Sequence, residues 1–410
     1  MDSLTQATLG AAVGHAVLGK KMGNKAIVIG AFAGTIPDLD IISQVFSSHD
    51  IYGLIYHRGL SHSIFFTLVA SPIFAWLSLR YYKSGLHEKK GTQVLWATLW
   101  GVLFTAILAT FGAGAYYTGS RIFYGLFALT ALGGIPLYRV LQQNIANPSA
   151  IEYDPSFKTW TLMYMLAFLT HWIIDSCTAY GTQIFEPFSN YRVSFNNIAI
   201  VDPLYTVPMI LGLIGVVLAK QYSTAKRWNY LGLTLSTLYM GLTFGIKLNM
   251  NSVVEKSLQA QNIAYEEYIT YPSIFNTVLW QTTVKTKDAY YYGNYSLFDS
   301  TPIIAFMELP KNHQVIAKYD GHEFVEILKW FARDYYNISE NADGSLSFNI
   351  LLFGVIGVPE GSDIPLDDRY VFRYEIKEEA GELLVEPDRD VDRLPVAEVA
   401  AVLWERIKGN

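Results

Sequence analysis

The chain has 410 residues, of which 51% are hydrophobic and only 16% charged, a balance too apolar for an ordinary soluble protein of this length. Its net charge of −6 is uneven: residues 1–249 carry 16 Lys and Arg against 10 Asp and Glu, while residues 250–410 carry 14 against 26, a shift from +6 to −12. A single cysteine, Cys177, excludes an intrachain disulfide and a cysteine-based zinc site, and the acidic second part argues against nucleic acid as a partner.

The opening M-D-S-L-T-Q lacks the basic stretch of a cleavable signal and is expected to stay on the protein. Residues 4–18 are small and apolar and end at Gly19-Lys20-Lys21, while 26–36 form a second weak segment that stops at Pro37. Both are short for a crossing, which takes roughly 20 apolar residues, so they read as a tight hairpin or re-entrant pair. Stronger spans are expected at 64–79, 94–111, 122–141, 162–177, 200–219 and 230–246, giving about six to eight membrane segments. Lys20, Lys21, Lys25, Arg80, Lys83, Lys89, Lys90, Arg139, Lys220, Lys226 and Arg227 then fall on one side, which the positive-inside rule makes cytoplasmic.

After Lys247 the pattern changes. Residues 274–298 read as strand, turn, strand, 370–376 with 382–385 as a hairpin, 321–336 as helical, 345–358 as a buried strand and 396–407 as a closing helix. The expected fold is therefore an α-helical polytopic membrane domain over 1–249, followed by a soluble α+β domain over 250–410 on the outer, periplasmic or extracellular side.

Three strings gather residues with ligand chemistry at the margins of apolar segments, where charge is costly and usually functional. His171 and Asp175, in T-H-W-I-I-D-S-C, are four apart on a helical segment and share one face, either as two metal ligands, as a ligand with its orienting carboxylate, or as a satisfied polar pair. His57 and His62, in H-R-G-L-S-H-S, converge if Gly59 turns the chain; otherwise they are a loop residue and a capping group. Asp38 and Asp40, in T-I-P-D-L-D, follow the break imposed by Pro37 and read as ligands or as an acidic turn. Threaded through the spans, all six face the outer side. Arg58, between the ligands, reads as a phosphate clamp or an interface anchor. His15, Gln6 and Asp2 in the first segment, and Asp202 ahead of Pro203, are candidates for additional or supporting positions, Asp202 equally for a helix N-cap.

Imidazole and carboxylate without thiolate suit zinc, with manganese or iron as the other choices, and one to three ions are expected. Such an ion acidifies water and stabilises charge at a phosphoryl centre.

The strings M-D-S-L-T-Q-A-T-L-G-A-A-V-G, T-I-P-D-L-D, H-R-G-L-S-H-S, H-W-I-I-D-S and Y-G-T-Q-I-F-E-P-F-S resemble the bacterial inner-membrane metal-dependent hydrolases of the LexA-binding type over roughly the first 250 residues. That family is itself distantly similar to zinc-dependent phospholipase C and the P1-type nucleases. The resemblance implies an inner-membrane location, a His and Asp ligand cluster carried by Asp38, Asp40, His57, His62, His171 and Asp175, and phosphoester hydrolysis. Where this chain has Gln6, many relatives have a histidine. The leading expectation is a membrane-embedded metal-dependent hydrolase, phospholipase C-like, acting on a lipid or lipid-linked phosphoester. The alternatives are a metal or ion transporter and a membrane scaffold with a structural metal.

Overall fold

The computed structural model describes residues 1–118, 124, 128, 131, 155–355, 369–379, 381–388 and 396–409. Its first part is helical. α1 (Ser3–Met22) starts where the Asp2 side chain accepts from the Thr5 amide, carries Lys20 and Lys21 in its last turn, and ends at Gly23, whose φ of 56° suits a helix stop. α2 (Lys25–Thr35) runs back along it, and the seam between the two is glycine. A Cβ added at Gly30 would lie 2.2 Å from the Gly10 carbonyl oxygen, and one at Gly14 would lie 2.4 Å from that of Ala26. Backbone therefore touches backbone, the packing that small residues four apart allow.

α2 gives way at Pro37 to a 3-10 turn, Pro37–Ile41, and the chain reaches α3 (Ile64–Lys83) through the short helical turns Asp50–Tyr52, Gly53–Tyr56 and Leu60–His62. α4 (Lys90–Thr118), α5 (Phe157–Ser176), α6 (Pro203–Leu218) and α7 (Tyr222–Ala260) follow among the described residues. α6 opens on Asp202, which accepts from the amides of Leu204 and Tyr205, with Pro203 at the first helical position.

Among the described residues, two helices are long and apolar enough to cross a membrane, α3 and α7. This is fewer than the six to eight segments expected from hydropathy. α2 is only 11 residues and α6 only 16, while α5 reaches 20 but includes Lys158, His171 and Asp175. The span expected at 122–141 lies almost wholly outside the described residues. α3 and α7 nonetheless leave large side chains uncovered, among them Leu68, Ile73 and Trp76, and Leu235, Leu238 and Leu242.

α7 also runs further than its apolar stretch. Past Lys247, Met250, Val253, Val254 and Leu258 keep helical spacing, and they pack on Trp280, Val284, Tyr295 and Ile304. Falling hydropathy there marks a change of surroundings and not the end of the helix.

Two antiparallel four-stranded meanders follow. The first joins β1 (Glu267–Pro272), β2 (Leu279–Lys285), β3 (Ala289–Ser296) and β4 (Met307–Pro310). The second joins β5 (Tyr336–Glu340), β6 (Leu346–Ile350), β7 (Arg373–Glu379) and β8 (Glu382–Pro387). The hairpins expected at 274–298 and 370–385 are β2–β3 and β7–β8, and the buried strand expected at 345–358 is the shorter β6. α8 (Glu323–Ala332) and α9 (Val396–Ile407) take the two helical stretches. Val325, Leu328 and Phe331 of α8 share a core with Phe348, Ile350 and Tyr370, and Ile51 and Leu54 of the loop before α3 are part of it. That loop is thus clamped onto the sheet part.

By compactness the chain divides into residues 1–71 with 162–410, and residues 72–161. The smaller unit has its own aromatic contact, Tyr82 stacked on buried Trp160 at 5.5 Å between ring centroids.

The glycine seam generates a prediction. Gly30→Ala forces two backbones apart and is expected to cost about 1–3 kcal/mol of stability, read as a lower thermal midpoint in detergent. Gly241→Ala in α7, where an added Cβ meets nothing within 4 Å, is expected to leave the midpoint unchanged or raise it.

Candidate metal centre

Four side chains converge where the ends of α2, α5 and the loop before α3 meet: Asp38, His62, His171 and Asp175, whose donor atoms all lie within 4.8 Å of one another. His171 and Asp175 sit one turn apart on α5, which aims both at the same point. Asp38 comes from the 3-10 turn begun by Pro37, and His62 from the turn that precedes α3.

Both imidazoles are held in one tautomer. His171 Nδ1 lies 2.7 Å from the Gly34 carbonyl oxygen and donates to it, and His62 Nδ1 lies 3.2 Å from Asp40 Oδ2 and 3.0 Å from Ser61 Oγ. Each ring so fixed presents its bare Nε2 inward, the arrangement of metal-binding histidines with a supporting acceptor behind them. The two Nε2 atoms are 3.0 Å apart. Asp38 Oδ1 lies 3.3 Å from each, and Asp175 Oδ2 lies 3.4 Å from His62 Nε2 and 3.5 Å from His171 Nε2.

Five of the six separations are thus 3.0–3.5 Å, close to the roughly 3.3–3.4 Å between ligands held at about 2.0–2.1 Å from a tetrahedral zinc ion. The chemistry of the donors agrees. Two imidazole lone pairs and two carboxylates face one space, and the other oxygen of Asp38 and the inward oxygen of Asp175 are buried with no hydrogen-bond donor. Four acceptors aimed at one another repel unless a cation lies between them.

The electrostatics show how protons take that place when no ion does. Burial alone pushes the Asp38 carboxyl up, but hydrogen bonds with His171 and His62 outweigh it and hold the group well below the usual carboxylate range. Asp40 behaves likewise through His57 and His62. For His62, burial favours the neutral ring, yet hydrogen bonds with Asp38 and Asp40, with the Asp175 charge, push its pKa up to about 8.

Of the six residues expected to be ligands, four are gathered and two stand one step out. Both oxygens of Asp40 are engaged: Oδ1 with His57 Nδ1 at 3.0 Å, Oδ2 with the Arg58 amide at 2.9 Å as well as His62. His57 hangs on Asp40, 27% exposed, with its ring edge-on to Tyr180. Arg58, read from the sequence as a phosphate clamp or an interface anchor, turns inward. Its Nε is 3.5 Å from Asp175 Oδ2, its Nη1 donates to the Thr178 hydroxyl at 2.9 Å, and its guanidinium lies 4.7 Å over the Tyr180 ring. The turn that aims it takes a left-handed backbone, φ 60°, pinned by Asp40 on its amide and the Gln183 amide on its carbonyl.

Gln6 donates to Asp175 Oδ1 at 2.9 Å and to the His171 carbonyl, and the Met1 amino group also meets Asp175 Oδ1. Asp2 and Asp202 are helix caps, Asp202 also accepting from the Tyr239 hydroxyl. His15 is buried against Gly19 and Tyr222, and no contact joins it to the cluster. Sequence reasoning overlooked Gly34, whose carbonyl fixes His171. The signal was there, in the four-residue spacing of Gly10 with Gly14 and of Gly30 with Gly34.

No curated protein and no solved structure matches the chain. One family model does, described as YdjM inner membrane protein, over residues 1–250.

The raised His62 pKa sets a pH dependence. An ion needs the neutral ring, so below about pH 8 uptake displaces a proton and apparent affinity falls by about tenfold per pH unit for that proton. Calorimetric titration with zinc in two buffers of different ionisation enthalpy is expected to register proton release at pH 7 that shrinks above pH 8.5, an approximate bound set by the same titration.

Proposed function

The chain belongs to the YdjM inner membrane protein family, and from that premise we propose that it is a membrane-embedded metal-dependent hydrolase acting on a phosphoester of a lipid or lipid-linked substrate. The family's description gives a location and no reaction, so the chemistry rests on the site. The observation that carries it is the uneven exposure of the cluster. The side chains of His62, His171 and Asp175 are 0% exposed, whereas that of Asp38 is 20% exposed. Four protein ligands fill a tetrahedral ion, so a catalytic role requires a fifth coordination position, and the partly exposed Asp38 side is where water or substrate would take it.

Zinc is the first choice for two imidazoles and two carboxylates, with manganese or iron next. A divalent ion held there supplies Lewis acidity and a usable nucleophile at neutral pH. The protein's own groups do the rest. Asp40 and the Gly34 carbonyl hold the two histidines in register, Arg58 balances the buried Asp175 charge, and Asp38 marks the wet side where a phosphoester would enter. His57, held by Asp40 and partly exposed, is the imidazole left outside the cluster that could exchange a proton with an incoming group.

Two other readings remain to be separated. A structural metal in a scaffold is favoured by the count of four protein ligands. A transport site is disfavoured by position, since the ligands lie at helix ends and transport sites lie near the midplane.

Elemental analysis of detergent-purified protein, paired with turnover of a chromogenic aryl phosphodiester and of vesicle-embedded phospholipid, separates them. The expected outcome is about one divalent ion per chain, lost in Asp38→Ala and His171→Ala and retained in His57→Ala, with phosphoester cleavage abolished in the first two variants and reduced by about 10²–10⁴-fold in the third. Metal retained with no cleavage of any phosphoester would leave the structural reading; no metal after reconstitution would sink both.

A further inference from the structure

Residues 182–193 form a hairpin that the hydrolase chemistry does not use. Its stem is closed by reciprocal hydrogen bonds between Thr182 and Val193. The stem is tied down on every side. The Gln183 amide donates to the Arg58 carbonyl and its side chain to that of Ile55, and buried Arg192 donates to the carbonyls of Phe331 and Tyr180. The tip is the opposite. Phe185 is exposed, Phe188 is 84% exposed and Tyr191 is 66% exposed, and the one carboxylate between Gln183 and Tyr191, Glu186, is half-buried.

Large aromatic rings held in water by a rigid stem are costly, at about 25 cal/mol for each Å² of apolar surface. Something covers them. The hairpin's position says what. The Ile64 amide, at the first residue of α3, donates to the Ile184 carbonyl, and the Phe65 ring meets that of Phe188 edge-on. α3 is one of the two helices long and apolar enough to cross a membrane, and its exposed Phe65, Leu68 and Val69 continue the aromatic surface of the tip. The tip therefore sits level with the end of a crossing helix, at the depth where aromatic anchors collect.

We propose that the 185–191 tip is immersed in the lipid interface, with the bilayer itself as its partner. It fixes the opening at Asp38 at headgroup height, because the same stem holds Arg58 and the turn before His62. The inference deepens the hydrolase reading by giving the substrate class, a phosphoester presented in a leaflet and not free in solution.

The depth of the tip can be measured without any turnover. An environment-sensitive fluorophore is placed on Phe188→Cys, on Tyr191→Cys as a second tip position and on Asp343→Cys in an exposed turn, with unlabelled native Cys177 as background, in vesicles of phosphatidylethanolamine and phosphatidylglycerol. Lipids spin-labelled near the headgroup are expected to remove most of the fluorescence at both tip positions and none at Asp343. Fluorescence at both tip positions that survives those lipids and is lost to aqueous iodide, as at Asp343, would overturn the inference and leave the metal chemistry untouched. Replacing Phe188 and Tyr191 together by Ser is then expected to raise KM for vesicle-embedded phospholipid while leaving the soluble aryl phosphodiester unchanged. Cleavage of neither substrate by the native protein, with the tip still quenched by lipid, would instead remove the hydrolase reading and keep the anchor.

Discussion

A carboxylate taken wholly out of water is the constraint to which the centre of this protein answers. Asp175 is fully buried near the end of α5, and a buried charge left unpaired costs several kcal/mol. Its two oxygens are met from two distant stretches of chain, Gln6 in α1 with Arg58 and His62 in the loop before α3, and from His171 one turn back on the same helix. No local structure could supply that set. The fold has to bring the first helix, the irregular loop and α5 to one point, and the result is a convergence of acceptors that could hold a cation.

The glycine seam is how α1 and α2 reach that point together. Where α1 and α2 touch, a Cβ at Gly34 would lie 2.5 Å from the Gln6 carbonyl oxygen. Gln6 and Gly34 are therefore neighbours, and each supports one ligand of α5: Gln6 through Asp175, Gly34 through the Nδ1 of His171. A packing feature of two helices thereby decides which nitrogen of a histidine faces the centre. The loop is fixed from the other end, since Ile51 and Leu54 are buried with the sheet residues a few positions before His57.

Much of this was legible in the residues. The one-turn spacing of His171 and Asp175 on a helix, the break at Pro37, the β2–β3 and β7–β8 hairpins and the closing helix at 396–407 all announce themselves through spacing and turn chemistry. Candidate ligands could be found but not ranked. Asp38 and Asp40, two apart, differ only in which side of the 3-10 turn each faces, and His57 and His62 only in how a left-handed Arg58 turns the chain; neither is visible in a string of residue types. Arg58 shows the same limit. Its identity suggests a phosphate, and its partner, Asp175, is more than a hundred residues away. Hydropathy misjudged length in both directions, expecting a crossing at α6, which has only 16 residues, and cutting α7 at Lys247, where its buried face merely changes neighbours from helix to sheet.

The continuity of α7 has a mechanical consequence. At 1.5 Å per residue its 39 residues extend about 58 Å, roughly twice the thickness of a hydrocarbon layer. No proline interrupts it, and its far half is bonded into the first sheet through Lys247, which donates to Thr270, and through the packing of Val254 and Leu258. It is a strut and not a tether. The first sheet therefore rides on the same uninterrupted rod that begins among the apolar helices, and its height above them is set by the length of α7 and not by a flexible linker.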